Sequence, residues 1–482
     1  MTDDYPDLPV RYSYSASGTY VYVDRYLNEG SFQTIASAQY IEDTWEATDR
    51  LTVYAGLRNE MFDNKNVDGK SFAKIDNQLA PRLGVAFDAL GGGHSKLYAN
   101  WGRYYLPIAT NTNIRLGGAE LYVRNLYYVD SSDPYDADGR PNYTSTTPYA
   151  QYVYGDGTTA DTASTVNRDL EPQYQDEIVL GWQQDFGHRW MGGIRFIHRD
   201  LKSTLEDVAV DDALNTWAED HGYDAPGSGF DYYVLTNPGK DIRFAVDLDG
   251  DGTAEDITLK AADLGYPKGK RKYNAIELTF ERVFDGVWTV QGSYTWSQSY
   301  GNIEGGVNSD VGQDDTGLTI SFDQPGLTDG AYGYLPNDRR HKIKLFAAYQ
   351  VLRDLNVGFN AYAYSGRPLN AFGNYPDEDN YAYQYGAESF YSFGKLVSRG
   401  TAGRLPWTYN IDLSTRYTPK AVDGLTLGVD VFNIFNFHKE TQVFEAAEVD
   451  YEIGVADPRY KTANAWQTPR YVRFSAEYKF GL

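Results

Sequence analysis

Hydrophobic and polar positions alternate along most of this chain with a period of two. The apolar residues Ile178, Leu180 and Trp182 occupy alternate positions with polar residues next to them. After a short turn the pattern resumes at Ile194 and Phe196. Strict alternation is typical of a β-strand with one apolar and one polar side. The pattern predicts about thirteen strands, at residues 33–47, 51–62, 79–89, 95–105, 173–186, 189–202, 273–284, 287–301, 341–351, 355–366, 408–418, 425–436 and 470–480.

The gaps between these strands alternate in length. Short turns are predicted at residues 48–50, 90–94, 187–188, 285–286, 352–354 and 419–424, and every other gap is long. Outer-membrane barrels combine tight periplasmic turns with long extracellular loops in this way. We therefore expect an all-β protein, a transmembrane antiparallel up-and-down β-barrel.

The odd strand number predicts an incomplete wall. The first strand leads into a short turn and the last follows a long loop, so both run from the outside to the periplasm. A closed barrel of one bacterial chain needs an even number of strands. We expect residues 33–482 to be the C-terminal portion of a larger barrel. Residues 1–32 are expected to be the remnant of an extracellular loop, with a piece of strand near residues 19–23.

The composition is compatible with this architecture. The chain has 43 Tyr, 22 Phe, 9 Trp and 47 Gly but only 41% hydrophobic residues, which is too aromatic and too polar for a helical enzyme of this size. A mean hydropathy of −0.55 and the lack of an 18-residue apolar run exclude transmembrane helices. A barrel can have such a hydropathy, because only every second residue of its strands faces lipid. No apolar leader opens the chain, so we expect no signal peptide.

Charge and cysteine content exclude several functions. The net charge of −24 argues against a nucleic-acid partner, because phosphates attract basic surfaces. The absence of cysteine excludes disulfides, thiolate metal sites and cysteine nucleophiles, and it suits an oxidising envelope compartment. The six histidines lack the spacing of a zinc site. We expect no enzyme; a carboxylate pair for glycoside hydrolysis stays an open alternative, because the separation of such a pair is spatial.

Several hairpins resemble a known family. Residues 40–45 (YIEDTW) and 51–60 (LTVYAGLRNE) resemble a hairpin of TonB-dependent outer-membrane receptors. Residues 80–84 (APRLG) with 102–105 (GRYY) resemble the Oar-like branch of that family. The later motifs that fit this branch are residues 170–172 with 177–181, 338–341 with 364–368, and 431–436 (VFNIFN). The resemblance covers about residues 33–480.

The resemblance implies a function for the parent protein. Members of this receptor family form barrels of about 22 strands that enclose a plug. They move a ligand across the outer membrane of Gram-negative bacteria with energy supplied through the TonB complex. The plug and the TonB box would lie in a missing N-terminal part. Tyr478 and Phe480 resemble the terminal signal that the barrel-assembly machinery reads, with Ser475 where glycine is usual. The remaining partners would be outer-membrane lipid and an unknown small-molecule, peptide or glycan ligand.

A cluster of tyrosines is the candidate ligand-binding site. Exposed aromatic rings stack on sugars or peptides. The alternative is that these rings pack on one another and keep a long loop folded. The candidates lie in residues 106–172 and are Tyr122, Tyr127, Tyr128, Tyr149, Tyr152 and Tyr154.

An acidic segment is the candidate metal site. Asp247, Asp249, Asp251, Thr253 and Glu255 occupy alternate positions, with a glycine at the sixth position, as in a Ca²⁺ loop. The twelfth position is a threonine where that loop has a bidentate glutamate, and the apolar flanks predict a hairpin rather than two helices. An acidic turn without an ion is an equal alternative. No cofactor is required; Ca²⁺ would be an extracellular addition.

Other interpretations remain open. Arg195, Lys342 and Lys344 lie on the polar phase of strands, where they would tune permeation through the lumen or pair with lumenal carboxylates. A passive porin or an adhesin-type barrel would show the same alternation. A secreted all-β carbohydrate-binding protein, such as a propeller, is a further alternative, but propeller blades would repeat about every 40 residues, and no such repeat is visible.

Overall fold

The computed structural model describes residues 8–14, 19–130, 132–145, 147–225, 232–313 and 319–480. Its main feature is an antiparallel sheet of thirteen long strands that pair in chain order. We number these wall strands β1 (Thr34–Thr48), β2 (Leu51–Lys65), β3 (Ser71–Asp88), β4 (Ser95–Leu106), β5 (Gln173–Gly187), β6 (Trp190–Ser203), β7 (Arg271–Arg282), β8 (Trp288–Gly301), β9 (His341–Leu352), β10 (Leu355–Tyr364), β11 (Thr408–Tyr417), β12 (Leu425–Phe432) and β13 (Tyr471–Tyr478). The strand number and the all-β fold class agree with the sequence prediction.

One predicted long gap is wrong. The sequence places a loop at residues 63–78, but β2 and β3 continue through it and are joined at residues 66–70. Asn64 pairs with Ala73, and Phe72 and Ile75 are buried against the loop residue Leu235. This part of the hairpin is packed between outer loops rather than between lipid and lumen. The alternation that marks the rest of the wall is therefore not required here.

The register keeps the apolar phase of neighbouring strands on one face. Trp182 pairs with Ile194, Ile194 with Leu278, and Leu278 with Tyr294. The neighbouring row contains Arg195 beside Glu277, on the opposite face. A cavity of about 700 Å³ is lined mainly by the polar phase of β4–β10, so the polar face is the concave one. The apolar phase lies on the convex face, as expected for a wall surrounded by lipid.

The wall is open within the described residues. There β1 pairs with β2 alone and β13 pairs with β12 alone. Each of these strands therefore has one edge without a neighbour. An unpaired strand edge is a template for further pairing, so the structure agrees with the expectation of a partial barrel.

Short turns at the periplasmic end are stabilised by aspartates. Asp285 accepts hydrogen bonds from the backbone amides of Val287 (2.9 Å) and Trp288 (3.0 Å), and Gly286 has a φ of +98°. Asp88 does the same for Gly91 and Gly93 in the turn between β3 and β4. Carboxylates that accept backbone amides in this way favour tight turns, and they explain why these gaps stay short.

The outer loops fold into a layer with its own core. Val208, Leu214, Phe244, Ile257 and Phe322 are buried together. The strands of this layer are Val10–Tyr14, Tyr20–Leu27, Leu121–Tyr128, Ala150–Asp156, Glu206–Ala209, Tyr233–Thr236, Ile242–Val246, Glu255–Leu259, Gly333–Tyr334, Tyr391–Ser392, Lys395–Leu396, Glu440–Val443 and Ala463–Trp466. Its α-helices are Thr110–Gly117, Thr162–Thr165, Asp211–Asp220 and Ala261–Leu264, and its 3-10 helices are Ile320–Phe322, Pro325–Thr328 and Tyr381–Tyr385. Within the described ranges, no helix combines the length and apolar content needed to cross a bilayer.

Candidate functional site

A four-stranded sheet in the outer loops organises the candidate tyrosines. It is antiparallel, in the order Val10–Tyr14, Tyr20–Leu27, Leu121–Tyr128 and Ala150–Asp156. The strand expected near residues 19–23 is therefore present as Tyr20–Leu27. It pairs with the long loop between β4 and β5 rather than with the wall.

One face of this sheet is its core. Val21 and Val23 are buried there beside Tyr127, which is 7% exposed. The Tyr127 ring stacks on Tyr143 with a centroid distance of 4.4 Å. Tyr127 was expected among the ligand contacts, but the structure places it on this buried face, apart from the other five candidates.

The opposite face carries eight tyrosines, which we call the tyrosine face. The ring centroids of Tyr20 and Tyr128 lie 4.8 Å apart, and those of Tyr122 and Tyr154 also lie 4.8 Å apart. Tyr149 is 66% exposed. The members are Tyr20, Tyr22, Tyr26, Tyr122, Tyr128, Tyr149, Tyr152 and Tyr154.

Three members of the tyrosine face were missed in the sequence. Tyr20, Tyr22 and Tyr26 lie in a segment that the strand count treated as a loop remnant. Their spacing of two and four residues places them on one side of a strand, and this was the available signal. Their partner strand lies about a hundred residues further along the chain, which the local pattern could not reveal.

A charge pair holds the two central strands together beneath the rings. Arg124 donates Nε to Asp24 Oδ1 (2.7 Å) and Nη2 to Asp24 Oδ2 (2.9 Å), while Asp24 is only 4% exposed. Arg124 also donates to the Tyr122 hydroxyl (2.9 Å) and lies 5.1 Å from the centre of the Tyr22 ring. The hydrogen bonds that Arg124 donates to Asp24 raise the pKa of Arg124. The salt bridge leaves no net charge beneath the rings.

Three hydroxyl groups of the tyrosine face have a raised pKa. Burial raises the pKa of Tyr122 and of Tyr154 above the ordinary value of 10.0. A hydrogen bond with Tyr20 raises the pKa of Tyr128 to about 12. At neutral pH these three side chains therefore offer neutral aromatic planes together with hydroxyl donors. Such a surface can stack on flat or ring-shaped ligands and form hydrogen bonds at their edges.

The acidic segment forms the predicted hairpin turn. Ile242–Val246 pairs with Glu255–Leu259, and side-chain oxygens of Asp247, Asp249 and Asp251 lie within 4.8 Å of one another. Asp247 accepts the backbone amides of Gly250 and Gly252, both at 2.8 Å. These hydrogen bonds occupy part of the carboxylate oxygens without an ion. Calcium at Asp247, Asp249, Asp251, Thr253 and Glu255 stays a prediction.

The terminal aromatic residues lie at the end of β13. The rings of Tyr478 and Phe480 are 4.8 Å apart, and Phe480 is 83% exposed. Tyr478 lies in the same phase as Phe474, on the convex face, whereas Arg473 reaches Asp430 on the concave face. Recognition of these two residues by the assembly machinery stays a prediction.

The concave face of the wall carries ion pairs. Arg195 pairs with Glu277, as expected for a lumenal cation, and Arg199 pairs with Glu177. Neither Lys342 nor Lys344 forms an ion pair with any residue that the structure describes.

Comparison with protein families decides the identity of the wall. A family model described as an outer membrane beta barrel domain matches residues 61–352. The chain belongs to this family. As a member of the outer membrane β-barrel family it resides in the outer membrane of a Gram-negative cell, which the strand pattern predicted.

The similarity to known transporters extends beyond the matched segment. The chain is 26% identical to the TonB-dependent transporter Oar of Myxococcus xanthus, over 92% of this chain and 42% of that protein. The predicted resemblance to the Oar-like branch is thus confirmed. The chain spans less than half the length of this relative.

Solved structures with a similar shape are more distant. The siderophore receptor PiuA from Acinetobacter baumannii is 11% identical and has a TM-score of 0.47, over 96% of this chain and 44% of that one. The ferripyoverdine receptor of the outer membrane of Pseudomonas aeruginosa is 14% identical and has a TM-score of 0.46, over 96% of this chain and 39% of that one.

Proposed function

We propose that this outer-membrane β-barrel chain is the C-terminal wall and the outer loops of a TonB-dependent transporter. The open wall of thirteen strands carries this proposal, because such a wall encloses a polar lumen only after a further segment has joined both β1 and β13. The similarity to the transporter Oar over 92% of the chain supports it. The segment that completes the barrel would contribute the plug and the contact with the TonB complex.

The tyrosine face would make the first contact with the ligand. It lies in the outer loop layer and combines exposed rings such as Tyr149 and Tyr152 with the neutralised Asp24–Arg124 pair. Such a surface suits a small molecule, a peptide or a glycan. We propose transport rather than catalysis, and the relatives named above are transporters and receptors. Lipid would contact the convex face, and the barrel-assembly machinery would insert the wall through its last strand.

Two measurements on the complete protein test this function. Photo-cross-linking in cells should capture a TonB adduct of the complete protein. In planar bilayers with potassium chloride, the complete protein should show no steady open-channel current, because a plug closes the lumen. A passive porin would give a stable current and no adduct. That pair of results would overturn the transporter proposal.

A matched variant tests the ligand surface. Replacing Tyr149 and Tyr152 by serine removes two exposed rings but leaves the Asp24–Arg124 pair in place. Cells carrying this variant should lose growth on the nutrient that depends on the wild-type protein. The exposed aromatic Tyr332, at 45% exposure outside the tyrosine face, provides the control substitution. Equal growth losses with both variants would contradict a specific role for the tyrosine face.

A further inference from the structure

A second cavity lies on the concave side of the wall, at the outer ends of β10–β13. Its volume is about 420 Å³, within the range of roughly 300–1,000 Å³ that is typical of small-molecule sites. We call it the lumenal cleft. The residues that carry the argument are Tyr362, Asn410, Asp412, Asn433, Trp466 and Gln467.

Aromatic rings form opposite parts of the cleft lining. Tyr362 stacks on Tyr364 with a centroid distance of 4.6 Å, and Phe432 stacks on Tyr471 at 4.5 Å. Trp466, on the last outer loop, adds a third aromatic surface. Each stack limits the rotation of its two rings, so these aromatic surfaces are partly ordered before a ligand arrives.

The strand-end motif at residues 431–436 attaches this last loop to the wall. Asn433 adopts a left-handed backbone conformation, with a φ of +47°. Its Nδ2 donates to the carbonyl oxygens of Phe437 and Thr468, both at 2.9 Å, and its backbone amide donates to Asp412 Oδ1 at 2.9 Å. An asparagine tolerates this conformation better than most residues. The loop that carries Trp466 and Gln467 is thereby fixed against β11 and β12.

Gln467 presents a fixed hydrogen-bond acceptor in the lining. The residue is 8% exposed, and its Nε2 donates to the carbonyl oxygen of Tyr409 at 2.8 Å. Its Oε1 is buried and accepts no hydrogen bond of ordinary geometry from the described residues, although the Tyr362 hydroxyl is near enough to interact with the amide. A buried acceptor without a donor is unfavourable. A ligand hydroxyl group that displaced the Tyr362 hydroxyl from this amide would satisfy it.

The charged groups of the cleft are already engaged. Asp412 accepts hydrogen bonds from the side chains of Asn410 (2.7 Å) and Asn360 (3.2 Å) as well as from Asn433. Arg339 donates Nη1 to the carbonyl oxygen of Ser365 at 3.2 Å. Among the residues that the structure describes, the lining contains one cation, Arg339, and one carboxylate, Asp412, so their charges balance. A strongly charged ligand would lack a counter-charge here.

We propose that the lumenal cleft is a binding site for a neutral carbohydrate of one or two sugar rings. Aromatic planes pack against the apolar face of a sugar ring, and the amides of Asn410 and Gln467 match its hydroxyl groups. This proposal rests on the proposed function and adds the class of ligand. Binding at the cleft needs neither TonB nor an energised membrane.

The test uses the complete protein in detergent and a panel of neutral disaccharides: maltose, cellobiose, lactose and N,N′-diacetylchitobiose. Isothermal titration calorimetry should detect binding of at least one of these disaccharides. Gln467→Met removes the fixed acceptor at similar volume and should weaken binding at least tenfold, and Tyr362→Leu should do the same. The control is Gln291→Met, a lumenal glutamine outside the cleft, which should leave the affinity unchanged. Heat-modifiable gel mobility verifies that each variant is folded.

Three results would overturn the proposal. One is the absence of binding by every disaccharide in the panel, as would occur if the plug filled the cleft. Another is binding that neither Gln467→Met nor Tyr362→Leu weakens. The third is that tetraglycine binds, no sugar binds, and Gln467→Met or Tyr362→Leu abolishes the binding of tetraglycine. The site would then recognise a peptide. A failure to cross-link with TonB would leave the calorimetric result unaffected, so the two proposals fail separately.

Discussion

Replacing Arg124 with glutamine should open the four-stranded sheet that carries the tyrosine face. The substitution removes two hydrogen bonds to Asp24 and one to Tyr122, and it leaves a carboxylate that is 4% exposed without its cation. Breaking a buried ion pair by removing one partner costs about 3–5 kcal/mol. The Arg124 side chain is 29% exposed, so we expect about 3 kcal/mol. That amount raises the open population about a hundredfold.

Hydrogen exchange measured by mass spectrometry provides the assay. Peptides that cover Tyr20–Leu27 and Leu121–Tyr128 should exchange much faster in Arg124→Gln, while peptides of the wall stay protected. Arg243→Gln is the matched control, because its pair with Asp169 is more than half exposed on both sides; it should change the free energy by less than about 1 kcal/mol. Adding Asp24→Asn to Arg124→Gln should restore part of the protection. Unchanged exchange in Arg124→Gln would refute the role assigned to this pair.

Three further predictions concern other parts of the molecule. Burial raises the pKa of Glu388 from 4.5 to about 7, so its loop should be most stable below about pH 4.5 and lose about 3 kcal/mol as the pH rises through 7. Hydrogen-exchange rates of the loop should show this pH dependence, and Glu388→Gln should remove the dependence. In unfolding titrations, Leu278→Arg on the lipid face should destabilise the wall by about 2–4 kcal/mol. Thr279→Arg on the lumenal face should cost much less stability. Equal losses of stability would contradict the assigned faces. Calorimetry should show calcium binding that Asp249→Asn abolishes, and no heat at about millimolar Ca²⁺ would dismiss the site.

The wall could be predicted from sequence because two different media impose its pattern. Hydrocarbon on one side and a polar lumen on the other force alternation where a strand lies between them, so Ile194 and Leu278 reveal their face without knowledge of the fold. The acidic hairpin was also predictable, because its apolar flanks pair locally around a short turn.

The outer layer could not be predicted in the same way. Its contacts join segments far apart in the chain, such as Asp24 with Arg124, and its packing follows no simple period. Tyr127 and Tyr128 are neighbours in sequence, yet one is in the core of the sheet and the other is on the tyrosine face. The lumenal cleft depends on Asn433 and Gln467, whose partners lie on other strands and loops. Only three-dimensional pairing brings these groups together.

The aligned rows of the wall also determine where this protein can change its length. One residue inserted within β7 would rotate every following side chain of that strand by one phase, bring Glu277 or Thr279 into hydrocarbon, and break the match with both neighbouring strands. Insertions and deletions are therefore tolerated only in the outer loops. Evolution can lengthen, shorten or exchange those loops while the wall below stays constant, so recognition can diversify without any change to membrane insertion.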